Sequence, residues 1–213
     1  MRRAAKRLLD IIGAVIGLVF LSPVFVVIAS AVAVDSPGGA LFRQQRVGRG
    51  GRLFKVYKFR TMVSDASLRG HVITSADDPR ITRVGAFLRD WKLDELPNLI
   101  NVLKGEMSLV GPRPEVPEYV AMMRPEERRL LELKPGITGF AQLRYINEAK
   151  TLTREQALND YEAIFHTKVA IDLEYLERLS FWFDLKIILY TLWMILRGES
   201  ASDIPGHFTA PLD

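Results

Sequence analysis

The stretch Leu93-Asp94-Glu95-Leu96-Pro97-Asn98 sets two acids side by side between leucines. Two readings compete for it. In the structural one, Asp94 or a neighbour is the N-cap of a helix, where a carboxylate accepts free backbone N–H groups and complements the helix dipole. Pro97 is tolerated in such a first turn. In the chemical one, the same dipole keeps a carboxylate ionised and poised as nucleophile or metal ligand. Adjacent helical residues point about 100° apart, so the two acids are expected to take different roles.

Cations without an obvious acid partner recur along the chain: Lys58 and Arg60 in "YKFRTM", Arg80 in "DPRIT", Arg113 in "GPRP" and Arg144 in "QLRY". For any one of them a solvated surface charge is the default reading. Arginines held in Gly/Pro loops differ, because a rigid turn fixes the direction of the guanidinium. Arg113, between Pro112 and Pro114, has the form of a phosphate clamp. Asp160-Tyr161 and Asp184-Leu185-Lys186 put further acids on predicted helices, with little meaning alone. No GxxxxGK[ST], GxGxxG or GxSxG pattern occurs, which excludes the common phosphate cradles and the nucleophile elbow. The chain has no cysteine, and its three histidines (His71, His166, His207) lie far apart, so a zinc site is not expected.

The elements that must position these groups are legible in outline. "ALFRQQRVG" and "RLFKVYKFRTM" flank Arg49-Gly50-Gly51 and predict a β-hairpin with a glycine turn. Residues 64–80 read as a polar loop, and Thr82 to Trp91 as a short helix. Leu96, Leu99, Ile100 and Leu103 give the helical period, with Gly105 as its stop. "LVGPRPEVP" is expected to be irregular. Helices are predicted from Pro125 to Leu133 and from Thr153 to Phe165. A last one, near Phe181 to Arg197, is rich in aromatic and aliphatic residues but too short to span a bilayer; core helix and interfacial helix are both open readings.

Charge and hydropathy divide the chain. Residues 1–60 hold eleven Lys/Arg against two acids, or +9, and the remainder eighteen against twenty-three, or −5; the two sum to the net +4. A basic portion of that kind implies anionic partners. Ile11 to Val34 is a run of 24 residues without a formal charge. One helix of that length would reach about 36 Å, enough for a hydrocarbon core of about 30 Å. Ser22-Pro23 falls at its midpoint, however, where a proline removes a backbone donor and clashes with the Val19 carbonyl. Arginines and lysines flank the run on both sides, and the positive-inside rule sends both flanks to the cytoplasm. A helix that enters, bends at Ser22-Pro23 and returns meets both conditions; a kinked span and a signal peptide are the rivals. Asp35-Ser36-Pro37-Gly38-Gly39 then marks the boundary between residues 1–35 and a globular domain of residues 36–213.

Taken together, "KRLLDIIGA…LSPVF", "FRQQRVGRGGRLFKVYKFRTM", "DPRITRVGAFLRDWKLDELPNLINVLKGEMSLVGPRPE", "KPGITGFAQL" and "SFWFDLKIILYTL" resemble the bacterial sugar transferases, the small monotopic phosphoglycosyl transferases. The resemblance covers nearly the whole chain, in order. It implies an α+β, helix-dominated fold: a re-entrant membrane helix, a small β-hairpin and a cytosolic globular catalytic domain with interfacial helices. It implies an enzyme of the inner (cytoplasmic) membrane, active site facing the cytoplasm. This enzyme would move a sugar-1-phosphate from a UDP-sugar to polyprenol (undecaprenol) phosphate, release UMP and initiate glycoconjugate or exopolysaccharide assembly. By that resemblance Asp94 is the nucleophile that forms an aspartyl-phosphosugar intermediate in ping-pong order, and Glu95 the second member of the dyad. Lys58, Arg113 and Asp160 match positions the family needs, Mg²⁺ (with Asp94 as its ligand) is its cofactor, and Ser22-Pro23 matches its helix break. Phosphate-binding roles for Arg60, Arg80 and Arg144 follow from charge alone.

The expected partners are the UDP-sugar, polyprenol phosphate and inner-membrane lipid, with no nucleic acid; a homodimer is compatible but not specified. Many members carry an additional multi-span domain ahead of these motifs, and the form without it is expected here. The chain departs from the family pattern at Lys92, Glu106 and Phe140, and "LRYINEAK" lacks the frequent Gly-Arg-Asn, which leaves the sugar and the role of Arg144 open. The competing functions are a membrane-anchored glycosyltransferase, which would release UDP, and a non-enzymatic basic membrane adaptor.

Overall fold

The computed structural model describes residues 3–66, 78–144 and 161–197. It is a helix-dominated α+β fold with two small sheets. Helix α1 (Arg3–Phe20) and helix α2 (Ser22–Asp35) meet at a 63° bend. Pro23 cannot donate to the Val19 carbonyl, and the Ser22 hydroxyl donates to it instead at 2.8 Å. Among the described residues no single helix is long and apolar enough to cross a membrane; α1 and α2 together are, but bent.

Strands β1 (Leu41–Val47) and β2 (Leu53–Phe59) form the antiparallel hairpin, with Gly50 and Gly51 at φ of 67° and 76°, where a side chain would be strained. Helix α3 (Arg83–Asp90) follows, capped by Thr82, whose Oγ1 accepts from the Gly85 N–H at 3.0 Å. A 3-10 turn (Leu93–Asn98) runs directly into α4 (Leu99–Lys104), which stops at Gly105 as predicted.

Three predictions need correction here. Leu109 and Val110 of "LVGPRPEVP" belong to a strand, β3 (Ser108–Val110), which pairs in parallel with β4 (Gly136–Thr138). Short parallel strands carry too few residues to show a period. Residues 125–133 hold a 3-10 segment, Glu127–Glu132, rather than an α-helix, and a short helix α5 (Pro117–Met122) precedes it. Helix α7 (Tyr161–Glu177) runs well past the predicted end at Phe165, after the short α6 (Phe140–Arg144). Helix α8 (Phe181–Arg197) matches its prediction.

The β3–β4 crossing depends on glycine: a Cβ on Gly136 would collide with the backbone of Gly111 and Thr138. Around it Val110, Phe140, Leu143, Ile171, Tyr175, Ile187 and Met194 form the main core, which draws on α6, α7 and α8. A second cluster sets Ala14 of α1 against Phe54, Val56, Leu99, Val102 and Met107.

Helix α1 therefore has two faces. Its inner face is fastened by buried charge. Lys6 Nζ donates to Asp184 Oδ2 at 2.6 Å and to the Val110 carbonyl at 2.9 Å, and Tyr175 Oη donates to Asp184 Oδ1 at 2.6 Å. Asp10 accepts from Ser108 Oγ and the Leu109 N–H at 2.8 and 2.9 Å. The outer face (Leu8, Ile11, Ile12, Val15, Ile16, Val19) is exposed and apolar. Helix α8 is built alike. Asp184, Ile187 and Met194 are buried, so the core reading holds for that face, while Trp182, Leu189, Leu192 and Leu196 leave the other face exposed and apolar.

Candidate active site

Three elements converge on the acid pair. Strand β2 brings Lys58, the 3-10 turn brings Asp94 and Glu95, and the irregular loop after β3 brings Arg113. Lys58 Nζ lies 2.5 Å from Glu95 Oε1, and Arg113 Nη2 lies 3.4 Å from the same oxygen. Asparagines hold the strand to the turn. Asn98 Oδ1 and Asn101 Oδ1 both accept from the Tyr57 N–H, at 3.1 and 3.2 Å. Asn101 Nδ2 donates to the Lys55 carbonyl and to Glu106 Oε2, each at 2.8 Å. Both asparagines are buried, and neither was singled out from sequence. The signal was there: two amides on the inner side of an apolar period ask for buried partners.

The N-cap reading of Asp94 is corrected. The residue ahead of the turn is Lys92 in the left-handed conformation (φ 56°), and no side chain caps the turn. Lys92 is the one non-glycine residue at positive φ among the described residues, and this backbone strain adjoins the acid pair. The sharp entry turns Asp94 inward, where it is 9% exposed, and leaves Glu95 facing the cations.

The surroundings therefore shift the two carboxyls in opposite directions. Burial pushes the Asp94 carboxyl up, and the adjacent Glu95 adds to this; Lys58, Arg89 and Lys92 oppose it. Burial also works against ionisation of Glu95, but there Lys58 and Arg113 prevail and hold it well below the usual carboxylate range. Burial thus works against the dipole-ionised Asp94 that the sequence suggests, and a cation beside it would favour the ionised form.

Arg89 is a further member that sequence reasoning missed. Its Nε donates to Thr61 Oγ1 at 2.8 Å, burial pushes its guanidinium down, and the Asp94 charge supports it. Behind Arg113 lies a second acidic pair. Glu115, 3.8 Å from Arg46, is pushed up by burial against the pull of Arg113, Arg46 and Lys168. Asp172 on α7 is pushed up to about 7, by burial above all; the Ala141 N–H, donating to it at 3.2 Å, and the Arg113 backbone work the other way.

Arg60, Arg80 and Arg144 have partners of their own. Arg60 is buried and donates to the Ser36, Pro37 and Val32 carbonyls at 2.7, 2.8 and 3.5 Å, closing the C-terminus of α2. Arg80 forks onto Asp78 at 2.6 to 3.1 Å and reaches the Ala66 carbonyl at 3.2 Å. Arg144 lies over the Phe140 ring at 4.8 Å, with Glu174 3.8 Å away. Charge alone could not show which partners these three and Lys58 and Arg113 would take, because each finds its partner through tertiary contact. Asp160 lies outside the described residues.

Comparison with known proteins decides the family. The model of the family described as bacterial sugar transferase matches residues 1–198. The chain belongs to the bacterial sugar transferases. Among its relatives, the galactosyl transferase CpsE of Streptococcus agalactiae serotype III (strain NEM316) is 40% identical over 92% of this chain and 43% of its own length. The UDP-glucose:undecaprenyl-phosphate glucose-1-phosphate transferase of Escherichia coli K12 is 41% identical over 91% of this chain and 40% of its own. A protein of the same name from Caulobacter vibrioides is 38% identical over 92% of this chain and 71% of its own. The chain thus spans less than half the length of the first two of these bacterial sugar transferases. Of the family departures, Glu106 accepts from Asn101 and Phe140 sits under Arg144, so each has a structural partner here.

Among the described residues no group of three or more acids or histidines converges to hold a metal. Magnesium asks for less: one or two carboxylates, with water and substrate phosphates completing the octahedron. The Asp94 carboxyl, raised by burial and by a like charge, suits that role, since a divalent cation beside it would favour its ionised form.

Proposed function

We propose that this chain is a phosphoglycosyl transferase that moves a sugar-1-phosphate from a UDP-sugar to undecaprenol phosphate, giving the polyprenyl-diphosphate-sugar and UMP. Relatives named for this transfer support the reading. The observation that carries it is the asymmetric acid pair, one carboxyl buried and one fixed by Lys58 and Arg113.

In the first half-reaction an Asp94 oxygen attacks the β-phosphorus. The bond from that phosphorus to the bridging oxygen breaks, and UMP departs with the electron pair. In the second, a phosphate oxygen of undecaprenol phosphate attacks the same phosphorus and displaces the Asp94 carboxylate, which closes a ping-pong cycle. Attack by an anion on an anion needs positive charge in place. Lys58 and Arg113 supply it and keep Glu95 ionised, while Arg89 supports ionisation of Asp94. Mg²⁺, held by Asp94, would add charge neutralisation on the diphosphate. Glu95 is the positioning acid of the two cations.

The lipid acceptor sets the location. Residues 1–35 are read as a re-entrant membrane helix broken at Ser22-Pro23, and residues 36–213 as the catalytic domain at the cytoplasmic face of the inner membrane. The 63° bend and the exposed apolar faces of α1 and α8 support this. Product analysis tests the reaction. Incubation with undecaprenol phosphate and a panel of UDP-sugars is expected to release UMP with one or a few of them. Release of UDP instead would favour a glycosyltransferase and overturn the proposal.

A further inference from the structure

Gly105 closes α4 at φ +82°, and a Cβ there would stand in van der Waals contact with two cationic side chains. The three atoms nearest that point are Arg7 Nη2 at 3.5 Å, Lys134 Nζ at 3.5 Å and Arg7 Cζ at 3.7 Å. One point beside Gly105 is thus equally close to two cationic nitrogens from residues far apart in the chain.

Their circumstances differ. Arg7 has structural work, since Nη1 and Nη2 donate to the Val102 and Leu103 carbonyls at 2.6 and 2.8 Å. Those bonds satisfy the end of α4, whose carbonyls would otherwise draw a second cation. The Lys134 ammonium makes no hydrogen bond or ion pair among the described residues. Burial and then the charge of Arg7 push it down, Arg49 and Lys6 add to this, and Asp10 opposes. Asp10 is already engaged with Ser108 and Leu109, and Lys6 with Asp184. A half-buried cation pressed against another is costly unless an anion joins them.

The position on α1 indicates which anion. Arg7 is followed at once by Leu8, the first residue of the exposed apolar face. On the re-entrant reading, which this inference rests on, that face meets hydrocarbon. Arg7 and Lys134 then stand at the depth of the lipid phosphates.

We propose that Arg7 and Lys134, side by side at Gly105, form a phosphate-binding site, occupied by the headgroup of an anionic membrane lipid. It lies at the opposite end of α4 from the acid pair. Two donors that fix one phosphate would tie the start of the membrane helix to the helix that follows Asp94-Glu95.

The test uses the full chain in nanodiscs, with thermal unfolding as the readout. Replacing a third of the phosphatidylcholine by phosphatidylglycerol is expected to raise the midpoint of the wild type by about 3 °C. Lys134→Gln, a half-buried side chain whose loss leaves the Arg7 bonds intact, is expected to lose most of that rise. Arg52→Gln, on the exposed hairpin turn, is expected to keep it, which separates a site from general attraction to a charged surface. An equal rise in Lys134→Gln and wild type would overturn the site. A Lys134-dependent rise with inorganic phosphate in neutral detergent, and none with phosphatidylglycerol, would overturn the lipid as its occupant. Wild type that extracts from membranes with carbonate would contradict the re-entrant reading instead, whatever the lipid preference.

Discussion

Asp94 and Glu95 are neighbours in sequence but sit in opposite electrostatic settings, and that contrast yields a prediction about pH. Wild-type kcat/KM is expected to fall on the acid side with an apparent pKa above the ordinary Asp value of about 3.9, because Asp94 must lose a proton that burial and Glu95 help it keep. Glu95→Gln removes the like charge and frees Lys58 to turn to Asp94. Its acid limb should therefore move to lower pH even as the rate drops. A limb that stays in place or moves up would contradict the assignment. Asp172 gives a second, independent titration. Its carboxyl, pushed up to about 7 by burial, holds its proton in the folded state at pH values where the unfolded chain has released it. Stability linked to it is thus complete below the ordinary carboxylate pKa and is lost as pH rises towards 7. Asp172→Asn, which can still accept from Ala141, should flatten the fall in thermal midpoint between pH 5 and 8; an unchanged slope would refute this.

At the scale of elements, the site depends on how β2 is held to the 3-10 turn and α4. Asn101 bridges the Lys55 carbonyl, the Tyr57 N–H and Glu106. Asn101→Leu strands the Lys55 carbonyl and Glu106 and leaves the Tyr57 N–H to Asn98 alone; it is expected to cost about 1–3 kcal/mol, measured by chemical unfolding in detergent, with a loss in kcat/KM from loosened alignment of Lys58 with Glu95. Full stability and activity in this variant would show that the hairpin is placed by other means. The hairpin, α3, the end of α4 and α8 were legible from sequence, since each has a strong local signal: a glycine turn, a Thr cap, a glycine stop and a long apolar period. The acid pair was legible as a candidate, and the structure sets Lys58 and Arg113 against Glu95. Its 3-10 geometry was not, because it follows from a strained Lys92 that no propensity announces. The β3–β4 pair was hidden for a different reason: two three-residue parallel strands are defined by each other and by glycine contacts, not by their own patterns. Arg60, Arg80 and Arg89 show the same limit, since which guanidinium serves structure and which serves Asp94 is settled by partners far away in the chain.

At the scale of the molecule, α1 joins two environments. Its buried charges fasten it to α8 and β3, while its other side is apolar and exposed. A helix so held cannot leave the rest of the fold without unpairing Asp184 and Asp10, which keeps the acid pair and the apolar surface in fixed register. The re-entrant reading predicts that cysteines introduced at residues 4 and 40 of this cysteine-free chain are both labelled from the cytoplasmic side by an impermeant maleimide. Labelling from opposite sides would mean a kinked span.

The covalent step is the central claim and can be read directly. Wild-type protein incubated with a UDP-sugar labelled at the β-phosphate, without lipid acceptor, and then quenched in acid is expected to carry label on the peptide that contains Asp94. The label should leave on addition of undecaprenol phosphate and should be absent from Asp94→Asn. Wild-type protein that turns over but never carries label, or Asp94→Asn that carries it equally, would contradict the account.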